Sequence, residues 1–144
     1  MQYSINEALL CLPETKVIDA SINILRFPDL GTTLIISRSP LAENETLKSN
    51  FDAQLDKLRQ QVANLRCSSA QETKAGVSPS VDAIEVQTEF NKGNERVYQY
   101  QIALQVPGKA QLIALSYVAS KPMTSMQTQH WTAIKQSLQL LEHS

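Results

Sequence analysis

The stretch ERVYQYQIALQV (95–106), PG (107–108), KAQLIALSYVA (109–119) reads as a β-hairpin around which the rest of the chain is organised. Both runs are rich in aromatic and aliphatic residues and are bounded by turn formers. A two-residue loop at Pro107-Gly108 pairs Val106 with Lys109 and sets every earlier pair in step. One face then carries Tyr98, Tyr100, Ile102 and Leu104 beside Tyr117, Leu115, Ile113 and Gln111, a bulky apolar surface suited to packing under helices. The other carries Val97, Gln99, Gln101, Ala103 and Gln105 beside Val118, Ser116, Ala114, Leu112 and Ala110. An open sheet face ordinarily carries charged and long polar side chains. This one holds neutral amides, small residues and a few aliphatics, the chemistry by which helices meet inside membranes. Two readings follow: an ordinary solvated face, or a surface built to hold an apolar helix of another protein.

Upstream of the hairpin, Ala83 to Phe90 alternates, with Ile84, Val86, Thr88 and Phe90 opposite Glu85, Gln87 and Glu89. The turn Asn91-Lys92-Gly93-Asn94 decides which set faces the core. A three-residue loop with Gly93 left-handed places Ile84 and Val86 on the aromatic face, whereas an even loop drives Glu85 and Glu89 into it. The three-residue loop is therefore expected, with Gln87 extending the glutamine face. Gln71 to Lys74 offers a short strand.

Further back, Leu47, Phe51, Leu55, Leu58, Val62 and Leu65 recur at helical spacing, with Asn44 as N-cap and Glu45 as a first-turn acid. Its mixed-sign outer face, Lys48 to Gln60, reads as solvated. Before it, Thr32 to Arg38 is apolar on both sides at Leu34-Ile35-Ile36 and belongs inside the sheet. The turn Pro28-Asp29-Leu30-Gly31 leads into it from Lys16–Phe27, where Ile22 and Ile24 share a side. A small leading hairpin spans Tyr3 to Leu12. Downstream, Pro122 with Thr124 or Ser125 opens a last helix on the stripe Trp131, Ile134, Leu138 and Leu141. The whole is an α+β sandwich: an antiparallel sheet, two main helices on one side, and an open face on the other.

Composition narrows function. The 144 residues suit one domain, and a net charge of −1 without a Lys/Arg cluster argues against nucleic acid. Met1 runs into folded sequence with no basic leader and no apolar span, so the expected location is cytoplasmic, without membrane insertion. Cys11 and Cys67 lack ligand spacing and read as thiols of a reducing compartment. His130 and His143 stand apart from cysteines and paired carboxylates, so no metal is expected. Four glycines form no phosphate-cradling loop. No catalytic residues, cofactor or enzyme activity are expected. Trp131 and the tyrosines read as core. If the strand bearing Ile22 and Ile24 joins with them on the glutamine side, that face becomes a groove with apolar walls and an amide floor.

The opening Tyr3-Ser4-Ile5-Asn6-Glu7, then Leu12-Pro13, then Asp19 to Leu25 with Ser21-Ile22-Asn23-Ile24, resembles the Eag chaperones of type VI secretion, a branch of the DcrB-like family. The order of elements agrees over nearly the whole chain. The resemblance implies a PsbP-like sandwich whose open sheet face is concave, and a cytoplasmic homodimer. It also implies a partner: the N-terminal transmembrane segment of a Rhs or PAAR effector, shielded before export. By matching position it marks Ile22 and Ile24, and with them Gln99 and Gln101, as partner-binding. Ile36, Leu65 and Leu112 join them from the expected geometry. The alternative is a non-catalytic adaptor domain that binds a soluble protein through the same sheet face; a small-molecule binder and a hydrolase using Cys67 or the glutamates rank below it.

Overall fold

The computed structural model describes residues 1–77 and 80–141. Strands β1 (Gln2–Ser4) and β2 (Leu9–Cys11) form the expected leading hairpin, a small sheet of their own. The main sheet comprises β3 (Ile22–Phe27), β4 (Thr32–Pro40), β5 (Ala63–Cys67), β6 (Gln71–Ala75), β7 (Val81–Lys92), β8 (Glu95–Gln105) and β9 (Gln111–Ala119). Its order is β3-β4-β9-β8-β7-β5, with β6 also on β7, and every pairing is antiparallel. Helices α1 (Leu47–Gln61) and α2 (Ser125–Ser137) complete an open α+β fold.

The central hairpin forms with a longer loop than its sequence suggests. Val106 N donates to Gln111 O at 2.8 Å, and Tyr100 faces Tyr117 rather than Leu115. Pro107-Gly108 sits inside a turn closed by Lys109 N donating to Val106 O at 3.1 Å, with Gly108 at φ 74°. Pro followed by a left-handed Gly is the pattern of a type II turn, whose twist does not match a tight hairpin. Lys109 and Ala110 therefore join the loop. The register slips by two residues, an even number, so both faces keep their members.

At the neighbouring hairpin the difference is odd. Lys92 pairs with Glu95 across a two-residue loop, Gly93-Asn94, with Gly93 at φ 63° in the first central position, as a type II′ turn requires. The three-residue loop is not formed. Ile84, Val86 and Thr88 consequently lie opposite Ala103, Gln101 and Gln99, while Glu85, Gln87 and Glu89 face Ile102, Tyr100 and Tyr98. The glutamates are accommodated because each meets a cation: Lys135 Nζ is 2.8 Å from Glu85, and the Arg96 guanidinium 3.1 Å from Glu89.

This register moves α1. The apolar side of β7 needs cover on the glutamine face, and Phe51 provides it by packing with Ile84, Val86 and Ala103. Trp131 of α2 packs on the opposite face with Leu34, Ile102, Leu104, Leu115 and Tyr117. The two helices thus lie on opposite sides of the sheet rather than on one. Only part of the glutamine face remains open.

Each helix begins with a capping box, Thr46 with Ser49 and Thr124 with Gln127. Asn44 is not the cap, and no acid occupies the first turn of α1. That helix ends at Gln61 with Val62 extended, and the chain continues directly into β5, where left-handed Asn64 (φ 53°) marks an irregularity, so Leu65 leaves the helical stripe. Under α2, fully buried Tyr117 accepts from Thr32 Oγ1 at 3.0 Å and meets His130 Nδ1 at 2.7 Å.

Candidate functional site

Cross-strand pairing lays out the glutamine face as rows. One runs Ile22, Ser37, Ala114, Ala103, Ile84; the next runs Ile24, Ile35, Ser116, Gln101, Val86. Gln99 stands beside Val118 and Thr88 in the row beyond. Helix α1 covers the β7 end of these rows. At the β3 end Ile22 and Ile24 are 60% and 57% exposed, although β-branched aliphatics on a paired strand are ordinarily covered.

Between them lies a trough. Beside α1 it deepens to a cleft of about 450 Å³ lined by Gln54, Leu58, Gln99, Gln101, Leu112 and Ala114. Gln99 Nε2 donates to Gln101 Oε1 at 3.4 Å, a long bond that leaves both amides with unused donors and acceptors. From β8 to β3 the floor spans three interstrand gaps, about 14 Å at ~4.8 Å each. A helix with its side chains is about 10–12 Å wide. The trough has room for one helix beside α1, with small and amide side chains beneath it and aliphatics at its outer flank.

Five of the sequence-selected residues share this face: Gln99, Gln101 and Leu112 line the cleft beside α1, the last buried in its floor, and Ile22 and Ile24 lie three strands away on β3. Two do not. Ile36 pairs with Asn23 and Leu115 on the opposite face and packs into the α2-side core, because successive residues of β4 alternate and Ile35 takes the trough side. Leu65 belongs to β5, at the far edge of the sheet from β3. Sequence reasoning missed Ile35, Ser37 and the polar rim of α1 at Asn50, Gln54 and Gln61. Ile35 was visible as the middle of an apolar triplet; the role of α1 was not, since it follows from the β7 register.

Beside the trough, Asp19 Oδ2 accepts from Tyr3 Oη at 2.8 Å and Oδ1 from Ser21 N at 2.9 Å. Hydrogen bonds from the Ser21 side chain and backbone, then from Tyr3, with a smaller contribution from Arg38, hold this carboxyl below its ordinary value of 3.8. The contact fastens the leading hairpin next to β3.

Groups considered for catalysis are apart or engaged. Cys67, cross-strand from Thr88, is on the α1 side, whereas His130 belongs to α2 on the opposite face, with Nδ1 held by Tyr117. Among the described residues no cluster of three or more His, Cys, Asp or Glu could hold a metal ion, and no helix is long and apolar enough to cross a membrane. His143 lies outside the described residues.

An open antiparallel sheet with a helix on each face places the chain among small α+β domains. The DcrB family profile matches residues 7–137, and the chain belongs to that family. Its fold is similar to the crystal structure of PA94 from Pseudomonas aeruginosa, a protein of unknown function suggested to be a regulator. The TM-score is 0.80 at 16% identity, over 99% of this chain and 98% of that one. No curated protein matches the sequence.

Proposed function

We propose that this DcrB-family protein is a non-catalytic chaperone of the Eag kind, acting in the cytoplasm as a homodimer. It holds the N-terminal transmembrane segment of a Rhs or PAAR effector in the trough until type VI export. The observation that carries the reading is the trough itself: one helix wide, floored by Gln99, Gln101, Ser37, Ala114 and Ser116, and flanked by the exposed pair Ile22 and Ile24.

The physical task is solvation. A transmembrane helix in water exposes on the order of 20 apolar residues, and each one buried recovers roughly 1.5–3 kcal/mol. Aggregation competes for the same energy. Ile22, Ile24, Ile35 and Leu58 cover the helix flanks. The two amides offer hydrogen bonds to its small or polar positions, where an all-aliphatic floor would leave those groups unsatisfied. Binding and release need no cofactor.

The test is co-expression of the chain with the N-terminal apolar segment of a Rhs or PAAR effector from the same genome, scoring soluble complex. Wild type keeps the segment in solution, and Ile22→Asp/Ile24→Asp loses it while retaining its own circular dichroism spectrum. A segment that stays insoluble with wild type overturns the chaperone reading; capture of a folded soluble partner in its place favours the adaptor.

A further inference from the structure

Helix α2 packs over β4, β9 and β8, while the side chains that β7 turns to the same face, Glu85, Gln87 and Glu89, stay half-buried or exposed beside it. A furrow runs there along β7, between α2 and the outer strands β5 and β6. Three cavities of about 450, 380 and 310 Å³ follow one another along it. Ser68, Gln87 and Tyr100 line both the first and the second, and Glu85 and Lys135 both the second and the third. From Glu89 to Ala83, cross-strand from Thr73 of the third cavity, the furrow is about 20 Å long at ~3.3 Å per residue. The trough lies on the opposite face of the sheet, so both can be filled at once.

The carboxylates of the furrow are already engaged. Lys135 Nζ stands 2.8 Å from Glu85, and Glu89 holds Arg96 at 3.1 Å and Arg66 at 3.7 Å. Donors remain. Ser68 Oγ accepts from Gln87 N at 2.9 Å and keeps its proton to give, and the Tyr98 hydroxyl has no protein partner among the described residues. Two guanidiniums against one carboxylate also leave a positive charge over, and the Arg66 side chain is 79% exposed. The walls of the first cavity are in part apolar: the rings of Tyr98 and Tyr100, the second stacked on Trp131, together with Pro122 and Met123.

Such a lining selects among occupants. An apolar helix laid here strips water from two ion pairs and returns nothing to them. A sugar, or an ordinary extended peptide, brings a hydroxyl or N–H donor with nearly every acceptor, and here the carboxylates that would receive those donors are taken. A proline segment in the polyproline II form brings carbonyl oxygens without N–H groups, in a helix that makes no internal hydrogen bonds. Its prolyl rings dock on aromatic walls. At ~3.1 Å per residue, about six residues fill the furrow. We infer that the furrow binds a proline-rich segment of a partner protein, with prolyl rings on Tyr98, Tyr100 and Met123 and an acidic residue at Arg66. The inference goes beyond the chaperone reading and does not depend on it.

The test is heteronuclear NMR on the full isotope-labelled chain, titrated with a blocked peptide of two Pro-Pro-Ala repeats ending in Glu. Controls are the same peptide ending in Lys, a Gly-Gly-Ala counterpart ending in Glu, and a chitin hexasaccharide. The proline peptide moves the Gln87, Tyr98 and Thr132 amides at millimolar concentration, and Tyr98→Ala, its fold checked by circular dichroism, binds at least tenfold more weakly. Exchanging the peptide's Glu for Lys weakens binding to wild type, and Arg66→Glu, at an exposed edge position, reverses that preference. No movement at millimolar peptide, equal binding of the glycine peptide, or an unreversed preference overturns the inference. So does movement of these amides by the hexasaccharide in the peptide's place, which marks a glycan site. An effector segment left insoluble by wild type overturns the chaperone reading and leaves the furrow's occupant untouched.

Discussion

Truncating the exposed pair, Ile22→Ala/Ile24→Ala, separates binding from folding. The two side chains are 60% and 57% exposed in the unliganded trough, so a helix laid across them removes a little over half of each from water. At roughly 1.5–3 kcal/mol for a complete side chain this amounts to about 0.9–1.8 kcal/mol each, or about 2–3.5 kcal/mol for both. Alanine retains part of the contact, which leaves an expected loss of about 1.5–3 kcal/mol. That is roughly a 10- to 150-fold rise in Kd at 1.4 kcal/mol per decade. Folding loses less than about 1 kcal/mol, because the residues bury little within the chain and only strand propensity is reduced. The assay is fluorescence titration of a labelled apolar helix of about 20 residues, kept soluble by terminal lysines, with urea denaturation in parallel. A Kd unchanged within about threefold, with both proteins folded, refutes the assignment of the trough as the binding surface.

Leu104 is fully buried, and Leu104→Ala lowers unfolding free energy by about 2–5 kcal/mol in urea titration. Tyr117→Phe removes the hydroxyl joining Thr32 Oγ1 and His130 Nδ1 beneath α2 and costs about 1–3 kcal/mol in the same experiment; an unchanged midpoint contradicts the network's role. Thr46→Ala deletes the α1 cap and costs about 0.5–2 kcal/mol, read from the helical circular dichroism melt. Asp19 has a lowered folded-state pKa, so its contribution is fully present above the ordinary value of 3.8 and is lost as pH falls through the folded value. Acidification below that point, or Asp19→Asn at neutral pH, therefore lowers amide protection in the leading hairpin, measured against the intrinsic exchange rate at the same pH, while protection at β8 and β9 stays unchanged.

Alternation and turn composition placed the leading hairpin, β4, β6, β7, the central hairpin and both helices, and the two faces of β8 and β9 survived an error in loop length because that error was even. Ile22, Ile24, Gln99 and Gln101 could be grouped on one face from local pattern alone. The β7 register could not be read in this way. It turned on whether two carboxylates would be buried bare, and Lys135 and Arg96, which answer that question, come from α2 and β8. From that one-residue difference followed the placement of α1 on the glutamine face and the recruitment of Gln54 and Leu58 to the rim. Side-chain periodicity is a local property of the chain, and the sequence determines it residue by residue. Which face a helix covers depends on where charges elsewhere find partners, and only the tertiary structure decides that.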